Sequence, residues 1–134
     1  MKEMDSLIKY IHSLPGLQWT GGVTEDEIRD AESILNLSFA EDFKVYLSEF
    51  GQISANGIEL TGLSDRKFTS VVNLTQNERK LLYIPANHYV IEDIGVDGLI
   101  YTQDNTGSVY QLLPNRLITK VADNLELYIK STNK

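Results

Sequence analysis

The chain has 134 residues, 42% of them apolar, with 12 basic and 19 acidic side chains and a net charge of −7. A length of this order fits one domain, residues 1–134, with a real core, and the apolar fraction excludes a disordered tail. The absence of cysteine excludes disulfides, thiolate metal sites and a cysteine nucleophile, and an acidic surface is a poor match for nucleic acid. The charge is uneven. Residues 1–51 hold four bases and ten acids, net −6, against net −1 for the remainder. Such a surface attracts a basic protein partner and speeds its association at low salt.

The first helix is predicted over about Lys2 to Leu14, from the helical spacing of Met4, Leu7, Ile8, Ile11 and Leu14. Its acids are unlike a signal peptide, and no apolar run reaches the ~18 residues of a membrane span, so the chain is expected in the cytoplasm. "PG" at Pro15–Gly16 ends the helix, and Gly21–Gly22 permits a sharp turn after Trp19, which reads as a core cover. "TEDE" at Thr24–Glu27 is a capping box opening a second helix, with Ile28, Ala31 and Leu35 as its buried stripe and Asn36 at its end. "SFAE" at Ser38–Glu41 repeats the pattern and predicts a third helix with Phe39, Phe43, Tyr46, Leu47 and Phe50 on one arc and Gly51 as a left-handed cap.

Beyond Gln52 the pattern changes. "GIELTGL" reads as a short strand, and "TQNE" at Thr75–Glu78 as a third capping box starting a helix that runs to about Leu82. "SVVNL" before it fits strand or helix equally. "HYVIEDIG" is strand-like, and "GLIYTQDNTGSVYQLL" is a hairpin. A turn centred on Asn105–Thr106 predicts Tyr101 opposite Tyr110 and Leu99 opposite Leu112. "ITKVADNLELYIKS" reads as a closing helix with Val121, Leu125, Tyr128 and Ile129 on one face. The order predicts an α+β fold, N-terminal helices packed on a largely antiparallel sheet with a C-terminal helix.

The carboxylates of residues 31–51 are the first candidates for chemistry. Glu27 and Glu41 are accounted for as caps, and Asp42 and Glu49 lie off the apolar arc on the expected wet face. Glu32, beside Ala31, is placed to hydrogen-bond backbone between the two helices. Catalytic carboxylates need burial or a close like charge, and the pattern offers neither to Glu27, Glu41, Asp42 or Glu49; Glu32 alone is expected to be partly buried, in a structural role. His12 and His88 stand in no metal-ligand spacing, and no GxSxG elbow is present. Asp93, Asp97, Gly98 and Asp104 approximate a calcium loop, but Gly95 stands at its third position and the flanks read as strands, so a turn followed by a hairpin strand is expected. No catalytic set, metal site or cofactor is therefore expected.

"VTEDEIRDAESILNLSFAEDFKVYLSEFG" resembles the signature of the SUKH superfamily, the Smi/Knr-like proteins. Ala31–Glu32, Asp42–Phe43–Lys44, Leu47 and Gly51 match its pattern, whereas Phe39–Ala40 stands where the family usually has Leu-Pro. "GIELTGL", "YVIEDIGVDGLIYTQDNTGSVYQL" and "VADNLELYIK" extend the likeness over residues 19–131. The resemblance implies the α+β fold, a structural role for Glu32, Asp42, Phe43, Leu47 and Gly51, and no enzymatic activity. Small bacterial members are immunity proteins that bind and neutralise a cognate secreted toxin, often a nuclease. Larger eukaryotic members are regulatory scaffolds in cell-wall signalling. The acids Glu25, Asp26 and Asp30, with Asp93 and Asp97 as a second patch, are the expected toxin-binding residues.

Overall fold

A computed structural model describes residues 2–64, 70–81, 84–94, 98–114 and 117–132. In chain order the elements are α1 (Lys2–His12), β1 (Gln18–Trp19), α2 (Glu25–Leu35), α3 (Glu41–Phe50), β2 (Ile53–Ala55), β3 (Ile58–Glu59), α4 (Val71–Leu81), β4 (Tyr89–Asp93), β5 (Ile100–Gln103), β6 (Val109–Leu112), β7 (Ile118–Ala122) and α5 (Leu125–Thr132). The fold is α+β. Its strands form two antiparallel sheets, β1-β2-β3 and β4-β5-β6-β7, rather than one. Among the described residues no helix is long and apolar enough to cross a membrane.

α2 forms where the capping box places it. The Thr24 hydroxyl accepts from Glu27 N–H and the Glu27 carboxylate accepts from Thr24 N–H, an arrangement worth about 1 kcal/mol. Asn36 closes the helix in the left-handed conformation, with Leu37 N–H reaching back to Glu32 O. Ile28, Ala31 and Leu35 are its buried face.

The other two capping-box readings are corrected. α3 begins at Glu41 behind Ala40, with no side-chain cap, and Glu41 pairs with Lys44 at 3.0 Å. The chain before it is extended because Phe39 and Ala40 are themselves buried. α4 begins at Val71, which resolves "SVVNL" as helix, and Ser70 Oγ accepts from Asn73 N–H at its start. Thr75 lies within that helix, fully buried, and its hydroxyl accepts from Val90 N–H of β4.

The C-terminal reading is corrected as well. Ile118 to Ala122 form β7 against β6, and only Leu125–Thr132 is helical. β-branched Ile118, Thr119 and Val121 favour the strand, and Asn124 caps α5 by accepting from Leu127 N–H. The hairpin register also differs by one: Ile100 faces Leu112, Tyr101 faces Gln111 and Thr102 faces Tyr110. The loop holds three residues between Asp104 and Ser108, with Gly107 at φ 101° and its N–H on Asp104 O. That geometry adds a residue to the two-residue turn and shifts every pair.

One core cluster joins Leu7 and Ile11 of α1, the buried faces of α2 and α3, Ile53, Leu60, Tyr89, Ile91, Val109, and Leu125 and Ile129 of α5. A smaller cluster of Ile84, Val90, Ile100 and Leu112 lies between α4 and the four-stranded sheet. Three fully buried tyrosines of the larger cluster satisfy their hydroxyls. Tyr46 donates to Thr61 O and accepts from Ile53 N–H, Tyr89 donates to Gln103 Oε1 and accepts from Ala40 N–H, and Tyr128 donates to Glu92.

Candidate functional site

The segment from Ala31 to Gly51 is held by side chains that reach backbone. Glu32 Oε2 accepts from Phe39 N–H at 2.8 Å, fixing the junction of α2 and α3. Asp42 is not on a wet face: its oxygens accept from Gln103 Nε2 at 3.0 Å and from Leu125 N–H at 2.9 Å, joining α3 to the hairpin and to α5. Burial pushes its carboxyl above the ordinary value, against the pull of those two donors. Phe43 and Leu47 are fully buried.

Gly51 departs from the expected left-handed cap. Its φ of 75° and ψ of −62° with Gln52 N–H on Phe50 O make a γ-turn of the rare positive-φ kind. Three backbone segments cross there. Phe50 O accepts from Gly21 N–H and Gly51 O accepts from Leu63 N–H. A Cβ on Gly51 would stand 2.1 Å from Gly21 O, and one on Gly62 would stand 1.9 Å from Gly51 O.

Two open clefts flank α2. One, of about 590 Å³, lies between Glu27, Asp30 and Ile34 on one side and Thr20–Gly21 with Leu63–Ser64 on the other. The second, of about 520 Å³, lies between Glu25, Arg29 and Glu32 of α2 and Glu41, Lys44 and Glu49 of α3, floored by Ile28 and Val45. α2 is thus a ridge with an acidic groove on each side. A family model described as SMI1-KNR4 cell-wall matches residues 4–133, nearly the whole chain. The chain belongs to the SMI1-KNR4 family. No curated protein sequence matches it.

In this SMI1-KNR4 chain the expected partner-binding acids fall in separate places. Glu25, Asp26 and Asp30 are exposed along the α2 ridge, Glu25 on one groove and Asp30 on the other. Asp26 forms an ion pair with Arg29. Asp93 is exposed at the end of β4, where its charge and, more strongly, burial raise the pKa of Glu78 on α4. Asp97 lies outside the described residues, as does Gly95 of the calcium-like segment, and Asp104 spends its carboxylate on Thr106 of the hairpin loop and Tyr110 of β6.

The sequence sets Ile34 at the edge of the α2 stripe without a functional role, and the structure leaves it 58% exposed on the rim of the larger groove. The signal was present, since Ile34 lies outside the stripe of Ile28, Ala31 and Leu35. Trp19 covers Phe50 edge-on, with ring centroids 6.1 Å apart, yet stays half exposed.

The buried carboxylates are built for structure. Glu92, pushed up chiefly by burial, accepts from Glu59 N–H and from the Tyr128 hydroxyl, and so closes β3 and α5 onto β4. Both oxygens of Asp42 are engaged in the same way. Among the described residues no three His, Asp or Glu side chains are grouped to hold a metal ion.

Proposed function

We propose that this SMI1-KNR4 chain is a cytoplasmic immunity protein that neutralises a cognate secreted toxin, a nuclease, by stoichiometric binding and without catalysis of its own. The observation that carries the reading is the α2 ridge, where Glu25, Asp26, Glu27 and Asp30 are exposed beside Arg29, itself tied to Asp26. A nuclease must carry basic groups to hold phosphate, and an acidic ridge between two grooves supplies the complementary field. Ile34 adds an apolar contact on the same helix, of the kind that anchors an interface whose rim is charged.

Co-expression with a nuclease toxin whose gene neighbours that of this chain tests the reading. Growth rescue and co-purification at equal stoichiometry are expected. Charge reversal of Glu25, Asp26 and Asp30 together is expected to weaken binding by roughly tenfold or more and to flatten its salt dependence. A folded triple variant with unchanged affinity and salt slope moves the interface off α2, and loss of both rescue and co-purification in the wild type refutes the function.

A second reading, a regulatory module that binds a cellular protein, is favoured by the cell-wall description of the matched family. Recovery of a wall-synthesis or signalling protein in place of a toxin selects it.

A further inference from the structure

Among the described residues, the four-stranded sheet has one covered edge and one edge with no strand or segment on it. Along β4, Thr61 N–H donates to Ile91 O and the Thr61 hydroxyl donates to Val90 O, so the segment after β3 closes that side. β7 is the last strand on the other side, and its residues are exposed from Ile118 through Val121. Leu117, Ile118, Val121 and Leu127 of α5 are between 39% and 54% exposed along it. Val121 and Leu127 line one shallow cleft with Lys120 and Asp123. An uncovered strand beside apolar side chains is a template for another strand.

We infer that β7 pairs antiparallel with β7 of a second copy of this chain, giving a closed, two-fold dimer. Charge selects this occupant. The chain as a whole carries −7, with −6 in residues 1–51, so most faces of two copies repel. The β7 edge is neutral instead, because Lys120 pairs with Asp123 there. A basic partner gains nothing there, whereas an isologous strand pair is complementary to itself by construction.

The register follows from the hydrogen bonds. Leu113 N–H donates to Leu117 O, and the pairs Gln111 with Thr119 and Leu112 with Ile118 alternate from it, so Thr119 bonds inward to β6. The backbone groups of Ile118 and Lys120 therefore point outward. Pairing about Thr119 sets Ile118 opposite Lys120 of the second copy and Thr119 opposite itself, and it avoids the register in which Lys120 meets Lys120. β7 carries an unpaired extra residue at Val121, since Val109 faces Ala122 and Tyr110 faces Lys120. That bulge ends the ladder after three residues, which limits assembly to a pair and keeps it weak.

Sedimentation equilibrium on the full chain, up to about 1 mM, is the test. A reversible dimer is expected that tightens as sodium chloride rises from about 50 to about 500 mM, because salt screens the repulsion of two anions. Lys120→Pro removes an outward N–H and Val121→Lys places a charge on the patch. Each is expected to raise the dissociation constant roughly tenfold or more with an unchanged circular dichroism spectrum. If Lys120→Pro fails to fold, Val121→Lys decides alone. A monomer throughout, a dimer indifferent to a folded variant, or a dimer that salt dissociates overturns the inference. So does a monomer whose β7 takes up only a foreign extended peptide.

Discussion

Replacing Asp42 tests whether the signature segment is a clasp or a wet helix face. The carboxylate accepts two hydrogen bonds, from Gln103 Nε2 and from Leu125 N–H, and Leu125 has no access to water. Bonds to a charged acceptor are worth about 1.5–3 kcal/mol each, and the burial that raises the Asp42 carboxyl takes part of that back. Asp42→Ala is therefore expected to lose about 2–3 kcal/mol at pH 7. α5 itself survives, because Asn124 still caps Leu127 N–H. Asp42→Asn keeps one acceptor oxygen but turns a donor toward the second donor, for a loss of about 1–2 kcal/mol. With a urea slope near 1.5 kcal/mol/M, the alanine variant shifts the unfolding midpoint by roughly 1–2 M. Because the folded carboxyl titrates above its ordinary value, the native state binds more protons just above pH 3.8, so stability from this group falls as pH rises through that window. Asp42→Asn removes that component. An alanine variant within about 0.5 kcal/mol of wild type, the size of an ordinary surface change, refutes the clasp.

Gly62→Ala is expected to cost about 3 kcal/mol or more, since its Cβ meets Gly51 O at 1.9 Å and backbone must move, whereas Gly57→Ala, with open space around it and φ of 86°, costs about 1 kcal/mol. Equal melting temperatures for the two variants contradict the crossing geometry. His88 is buried against Tyr110 with Nδ1 2.9 Å from the Thr102 hydroxyl, and burial lowers its pKa against the opposing pull of Asp104. Below the ordinary value of 6.5 the unfolded chain therefore binds more protons, so stability falls as pH drops through that region. The difference in unfolding free energy between wild type and His88→Gln, followed from pH 7.5 down to about 5, is expected to shrink; a constant difference shows that His88 does not carry the effect.

Local chemistry was legible where a segment closes on itself. Thr24 with Glu27, Asn36, and the stripe of Ile28, Ala31 and Leu35 needed only their neighbours. The same Ser/Thr-x-x-Glu pattern at Ser38 and Thr75 misled because tertiary packing decides there: Glu32 and Tyr89 hold the start of α3, and Thr75 serves β4. Asp42 looked solvated because its partners lie 61 and 83 residues away in the chain. One glycine, Gly107, moved the hairpin register. The family was carried by Ala31 to Gly51 and the match over residues 4–133 bears it out. The grooves were not legible, since each needs α2 beside elements whose relative placement no periodicity encodes.

The glycine crossing at Gly21, Gly51 and Gly62 has a bearing on recognition. It forms the wall of the larger groove at Thr20–Gly21 and Leu63, facing Asp30 and Ile34. Main chain held by main chain has no rotamers to surrender when a surface docks on it, so its ordering entropy was lost at folding and not at encounter. A partner seated against α2, as proposed, would meet a rigid anvil on one side and long, adjustable carboxylates on the other.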